Sequence, residues 1–357
     1  MIKRQNKISK NGLIEKACIL LLFLSVSFSI CYWAIAKYDV SSDYMACGDA
    51  QSYMKMSQMN YENVRKPFRY RILEPSLVYI LNKNLNLDSF LNKYYENVEK
   101  KKIQLNFGIV NILSLAFAGF LLFYYCLRLG FNKWEGLVGA FLFFTSFFVV
   151  NYYSVPMVDS LASFFIMACF YAVLKNSAIG LMLSFLFGVF TKETTFIILF
   201  LIILEERRIF SKKILYCLPG IVLYFVFVNV FSYSEGWTIS KALLDFDYFL
   251  QYASSFFRTL NLYFLIEAIQ TFMFLWVLFL YAFFKCPEPV FIRRALWLLI
   301  FPIIAAPIAG TPVVGRVAFF LFPIVIPCAL LALRKIFTLD NTDIVSIEKG
   351  IRDAKNI

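Results

Sequence analysis

About ten apolar stretches, most of them near the length of a bilayer-crossing helix, occupy most of this 357-residue chain. They fall at 15–36, 104–127, 135–152, 158–174, 177–191, 194–204, 214–232, 260–284, 295–310 and 317–333. A chain built this way has far more apolar surface than one soluble core can hide. Its composition agrees, with 61% apolar and 16% charged residues, against about 25% charged in soluble domains. The expected fold class is an all-α polytopic membrane protein with about ten transmembrane helices.

Histidine is absent. That excludes Ser-His-Asp and Cys-His triads, His-ligated zinc and His proton switches. Any chemistry must run on carboxylates, Lys, Arg, Tyr or Cys. The 8 cysteines stand singly, with no CxxC pair, and most lie in apolar runs where Cys acts as a small hydrophobe. The net charge of +12 suits membrane topology and anionic lipid, and calls for no nucleic acid.

Lys3, Arg4, Lys7 and Lys10 precede the first apolar stretch, which ends Ala34-Ile35-Ala36. The stretch exceeds a signal-peptide core of about 7–15 residues, so it reads as an uncleaved span with a cytoplasmic N-terminus. Basic residues then mark alternate connections: Arg128/Lys133, Lys175, Arg207/Arg208/Lys212/Lys213, Lys285/Arg293/Arg294 and Arg334/Lys335. The positive-inside rule places these in the cytoplasm. The reading is a single transmembrane domain over 1–335 and a cytoplasmic tail over 336–357.

The large outer loop, 37–103, holds FRYRILEPSLVYIL at 68–81, with the pattern of an amphipathic interfacial helix. A polar Asn/Lys-rich run follows at 82–102, and a second amphipathic outer segment spans 233–259. The chain has no internal repeat and no Gly-rich phosphate loop. Because the cytoplasmic connections are short, a site is expected in the membrane or on its outer face.

Charges beside spans are costly and therefore informative. They are Asp49, Arg69, Arg71, Glu74, Asp159, Lys192, Glu193, Glu267 and Arg316. All but Glu267 fall at outer span ends or in outer loops, which predicts one polar cavity opening outward. Asp49 and Asp159 also read as helix caps, and Arg69, Arg71 and Arg316 as interfacial anchors. Adjacent Lys192 and Glu193 fit those plain roles poorly, since neighbouring helical residues point about 100° apart and cannot simply pair.

An Asp soon after the first span, a PFRYR segment, a Lys-Glu pair at an outer hairpin and a late Gly315-Arg316 together resemble the GT-C class of polytopic glycosyltransferases. The likeness runs through order and topology over about 30–335. The chain lacks a paired acidic motif at Asp49, a WWDYG-like sequence and a C-terminal outer domain, so the small bacterial-type branch fits better than the oligosaccharyltransferases. The resemblance implies a bacterial inner-membrane enzyme that transfers a sugar, with inversion, from a polyprenyl-phosphate carrier to an extracytoplasmic glycan, lipid or protein.

On that analogy Asp49 is the catalytic base, and Arg69, Arg71, Lys192 and Arg316 bind the donor phosphate. Asp159, Glu193, Glu74 and Tyr53 support the cations or bind the sugar; the carboxylates are also the candidates for a divalent metal. The alternatives are a transporter or flippase of an anionic lipid-linked glycan, and an O-antigen-type polymerase or ligase.

Overall fold

The computed structural model describes residues 10–37, 48–62, 64, 68–153, 155–209, 211–233, 262–302 and 314–337. Lys3, Arg4, Lys7, nearly all of the 233–259 segment, the end of the 295–310 stretch and the tail beyond 337 lie outside the described residues. Among the described residues every regular element is a helix. In chain order these are α1 Lys10–Lys37, α2 Gly48–Met56, α3 Leu73–Asn84, α4 Asp88–Leu91, α5 Val98–Arg128, α6 Lys133–Phe144, α7 Phe147–Asn151 and α8 Asp159–Lys175. After them come α9 Ala178–Thr191, α10 Ile197–Glu206, α11 Lys212–Tyr233, α12 Leu262–Phe272, α13 Phe274–Lys285 and α14 Val290–Ala295. The last is α15, Gly315–Phe337.

Four helical segments are long and apolar enough to cross a bilayer: Gly12–Tyr32, Val98–Arg128, Lys212–Val230 and Gly315–Phe337. The pair Ile266–Phe272 and Phe274–Lys285, bent by 79° at Met273, makes a fifth if it is one span. The other apolar stretches form shorter helices: α8, with 17 residues, and α9, with 14, keep nearly the bounds read from sequence, while others are divided. The 135–152 stretch divides into α6 and α7 because Thr145 and Ser146 donate their hydroxyls back to the carbonyls of Phe141 (2.9 Å) and Phe143 (2.7 Å). The 14 residues of α9 reach about 21 Å, short of a hydrocarbon core of about 30 Å.

Burial sorts the long helices. In α15, 78% of the apolar window is buried inside the protein, against 11% in α1. The first is the central post of the bundle and the second a peripheral helix with an open apolar flank. Phe319 anchors α15, its ring meeting those of Phe143, Phe148, Tyr153, Phe272 and Phe322 with centroids 5.5–6.1 Å apart. Much of the aromatic surplus is therefore core packing.

The 68–81 stretch is not one helix. A 3₁₀ turn, Phe68–Tyr70, precedes α3. Pro75 sits in the first turn of α3, where its missing N–H costs nothing. The expected polar excursion at 82–102 contains α4 and ends as the first turns of α5, capped by the Asn97 side chain accepting from the Lys100 N–H. Helices α2 and α3 pack together and α3 lies on α5 and α9, around Tyr53, Met56, Val78, Phe107 and Val158.

Candidate functional site

The start of α8, the end of α9 and the start of α15 meet at one end of the bundle. Helix α9 stops at Thr191, and Lys192 is extended (φ −160°, ψ 133°) before a 3₁₀ turn over Glu193–Phe196. Side chains on either side of an extended link point to opposite faces. Lys192 therefore reaches Asp159 (Nζ–Oδ1 2.5 Å) while Glu193 faces Arg71. The turn closes because position 188 is glycine: a Cβ there would stand 2.7 Å from Thr195 Cγ2.

Two linked strings of charge result. In the first, Arg316 donates from Nη1 to Asp49 Oδ2 (2.8 Å) and from Nη2 to Asp159 Oδ2 (2.5 Å), and Asp159 in turn holds Lys192. Lys192 Nζ also lies 4.7 Å from the Phe320 ring centroid, within cation–π range. In the second, Arg71 grips both oxygens of Glu193, through Nε at 2.9 Å and through Nη2, and donates from Nη1 to the Tyr53 hydroxyl (2.8 Å). Burial pushes the Tyr53 phenol up, so it stays a neutral hydroxyl. Asp49 and Tyr53 stand one turn apart on α2, so one short helix touches both strings.

Exposure grades across the cluster. The Asp159 side chain is 0% exposed and that of Lys192 5%, while Asp49 and Glu193 keep 25% and 33%. The deep pair forms the floor and the two carboxylates the rim. Beside them, Glu74 on α3 is fully buried, and neither of its oxygens has a hydrogen-bond partner among the described residues. Arg316 Nε and Thr194 Oγ1 are also buried donors without a partner among the described residues.

Eight of the side chains singled out from sequence, Asp49, Tyr53, Arg71, Glu74, Asp159, Lys192, Glu193 and Arg316, thus gather here. Arg69 is half-buried on the 3₁₀ turn before Arg71, and Glu267 is half-buried on α12. The capping role for Asp159 does not hold, for α8 has no side-chain cap bond and the carboxylate is spent on two cations. Sequence reasoning missed Phe68 and Phe320, which lie under Arg71 (5.1 Å) and Lys192. It also missed Asn111, which pairs with Ser160 beside Asp159 and donates to the Val155 carbonyl (2.8 Å). A lone amide within an apolar run was the available signal.

A resident divalent cation does not fit this donor set. Among the described residues no three Asp, Glu or Cys side chains form a group that could hold one. Cations hold the cluster's carboxylates apart, Asp159 between Lys192 and Arg316 and Glu193 against Arg71.

The far ends of the same helices carry a different set of contacts. Arg334 pairs with Glu135 (2.5 Å), Lys133 with Glu15 (2.6 Å) and Lys213 with Glu205 (3.0 Å), while Arg294 caps the Glu205 carbonyl. Helices α8, α10 and α15 run from the cluster to these basic ends.

Gly315 carries the approach of α15. A Cβ there would meet Phe148 Cζ at 2.6 Å and Thr271 Oγ1 at 2.9 Å. Gly315→Ala is expected to push the helix start outward and to cost about 1–3 kcal/mol, read as a lower denaturation midpoint in detergent. An unchanged midpoint would mean the ring simply swings aside.

Comparison of this chain with protein-family models, with curated proteins and with solved structures finds no match.

Proposed function

We infer that this chain is an integral-membrane glycosyltransferase of the GT-C type. It takes a sugar from a polyprenyl-phosphate carrier and passes it to an extracytoplasmic glycan, lipid or protein acceptor. The observation that carries the reading is Arg316, held between partly exposed Asp49 and buried Asp159. It is a phosphate-type cation tied to a rim carboxylate, with Nε still free to donate.

The arrangement couples donor binding to base release. A donor phosphate drawn to Arg316 competes for the Nη1 donor that now occupies Asp49, and Arg guanidinium suits phosphate geometry. Asp49, once released, accepts the acceptor's hydroxyl proton as that oxygen attacks the anomeric carbon from the face opposite the phosphate. Arg316, with Lys192 and Arg71 nearby and Arg69 on the adjoining turn, stabilises the charge that collects on the departing phosphate. Asp159 and Glu193 keep the cations placed while the site is empty, since an unpaired buried cation is costly.

In this reading the chain lies in a bacterial inner membrane with about ten spans, the short helices completing the bundle within the protein. Both termini are cytoplasmic and the charge cluster faces outward. The basic far ends of α8, α10 and α15 support that orientation. Topology has a direct check in a cysteine-free background. Phe90→Cys and Trp134→Cys occupy exposed positions, 61% and 78%, on the outer loop and at the basic end. A membrane-impermeant thiol reagent is expected to label the first in intact cells and the second only after permeabilisation; the reverse pattern would invert the orientation.

The function is tested with purified protein in lipid nanodiscs and a panel of radiolabelled polyprenyl-phosphate sugars, with membrane glycans, lipids and water as acceptors. Label leaving the carrier is the expected result. Carrier translocated in vesicles without any sugar release would favour the flippase alternative instead.

A further inference from the structure

Glu74 is the carboxyl that the proposed chemistry leaves unused. It sits in the first turn of α3, three residues after Arg71, at 0% exposure, and among the described residues neither oxygen has a hydrogen-bond partner. A carboxylate left so would face the full cost of burial without a counter-ion, whereas a neutral carboxylic acid would not. Burial and the negative charge of Asp159 push the Glu74 carboxyl well above the usual carboxylate range.

The surrounding charges point the same way. Asp49, Asp159 and Glu193 already engage Arg71, Lys192 and Arg316, so among the described residues the cations of these two strings are taken up by other carboxylates. Asp49 and Tyr53 come from α2, Lys192 and Glu193 from the α9 break and Asp159 from α8. Helix α5 has no ionisable residue between Lys102 and Tyr124, and opposite α3 it offers amides such as Asn106.

We propose that Glu74 is the proton donor to the phosphate that departs from the sugar. The assignment rests on the glycosyl-transfer reading. As the anomeric C–O bond breaks, its electron pair stays on the phosphate oxygen, while the acceptor oxygen forms the new bond and its proton passes to Asp49. The phosphate would leave as a dianion in a buried site. Glu74 gives it a proton and remains as the carboxylate, so the total charge is the same before and after. A carboxylic acid kept neutral by an apolar site is suited to this donation.

A short prenyl phosphate, such as farnesyl phosphate, tests this by binding alone. The second ionisation of a phosphate monoester lies near pH 6. In the wild type Glu74 shares its proton with the bound dianion, so affinity should stay level from about pH 6.5 to about pH 7.5, below the range where Lys192, which burial pulls down to about 8, loses its charge. Glu74→Gln keeps the neutral shape but has no proton to give. Its dissociation constant should rise about tenfold per pH unit over that range, because only the monoanion, scarcer at each step, still binds well. Glu74→Asp keeps an acid and should keep the level profile, and unchanged melting midpoints certify the fold of both variants. Equal pH slopes in the wild type and Glu74→Gln would overturn the assignment and leave the glycosyl-transfer reading standing. No binding of the prenyl phosphate by the wild type at any pH would instead remove that reading, and the assignment with it.

Discussion

Asp159→Asn is expected to lower the stability of the folded protein by about 3–5 kcal/mol, the usual result of removing one partner of a buried ion pair. The size follows from geometry. One carboxylate with 0% exposure neutralises two cations, Lys192 and Arg316, at 2.5 Å each. Taking it away leaves Lys192, itself 5% exposed, beside the Phe320 ring with no carboxylate partner among the described residues. The loss is to be read in detergent as a fall in the denaturant midpoint at constant slope. Asp159→Asn combined with Lys192→Met should recover much of it, since an apolar side chain of similar volume removes the stranded charge. A double variant no more stable than the single one would show that Lys192 is not the source of the cost.

Asp49→Asn should behave in the opposite way. The side chain is 25% exposed and partly screened, so its pairing with Arg316 is worth no more than about 1 kcal/mol. Activity is another matter. An amide cannot accept the acceptor's proton, and loss of a positioned general base typically lowers turnover by about 10²–10⁴. The expected outcome is a protein with a near-wild-type midpoint and hardly any sugar transfer. Turnover within threefold of wild type would mean that Asp49 is only a tether for Arg316. The two substitutions thus separate a floor residue, needed for the fold, from a rim residue, needed for chemistry.

How far the sequence carried this picture depended on the range of each interaction. Adjacent Lys192 and Glu193 at a turn between short apolar segments were conspicuous, because nothing local could neutralise them. Their true partners were out of reach, since Glu193 meets Arg71 across 122 positions and Arg316 meets Asp49 across 267. No periodicity encodes such pairs. The cations were also easier to picture as open to a phosphate than as engaged, yet a buried guanidinium needs a counter-ion. Hydropathy marked where the apolar stretches lie but not how they divide. The hydroxyl back-bonds at Thr145 and Ser146 end α6, and Met273, with φ 44°, turns α12 sharply into α13. Asn111 passed unnoticed because an uncharged amide barely changes an apolar average.

The Phe319 contacts bear on which part of the cluster yields when a ligand enters. Arg316 lies one turn ahead of a ring held by five others, on the most deeply buried of the four long apolar helices. Asp49 rides on a helix of nine residues. If an anion parts the two, the long post stays and the short helix swings, pivoting near Tyr53. The rim would then act as the moving jaw of a vice whose fixed jaw is α15, and bound-state differences should be sought in α2 rather than in the core.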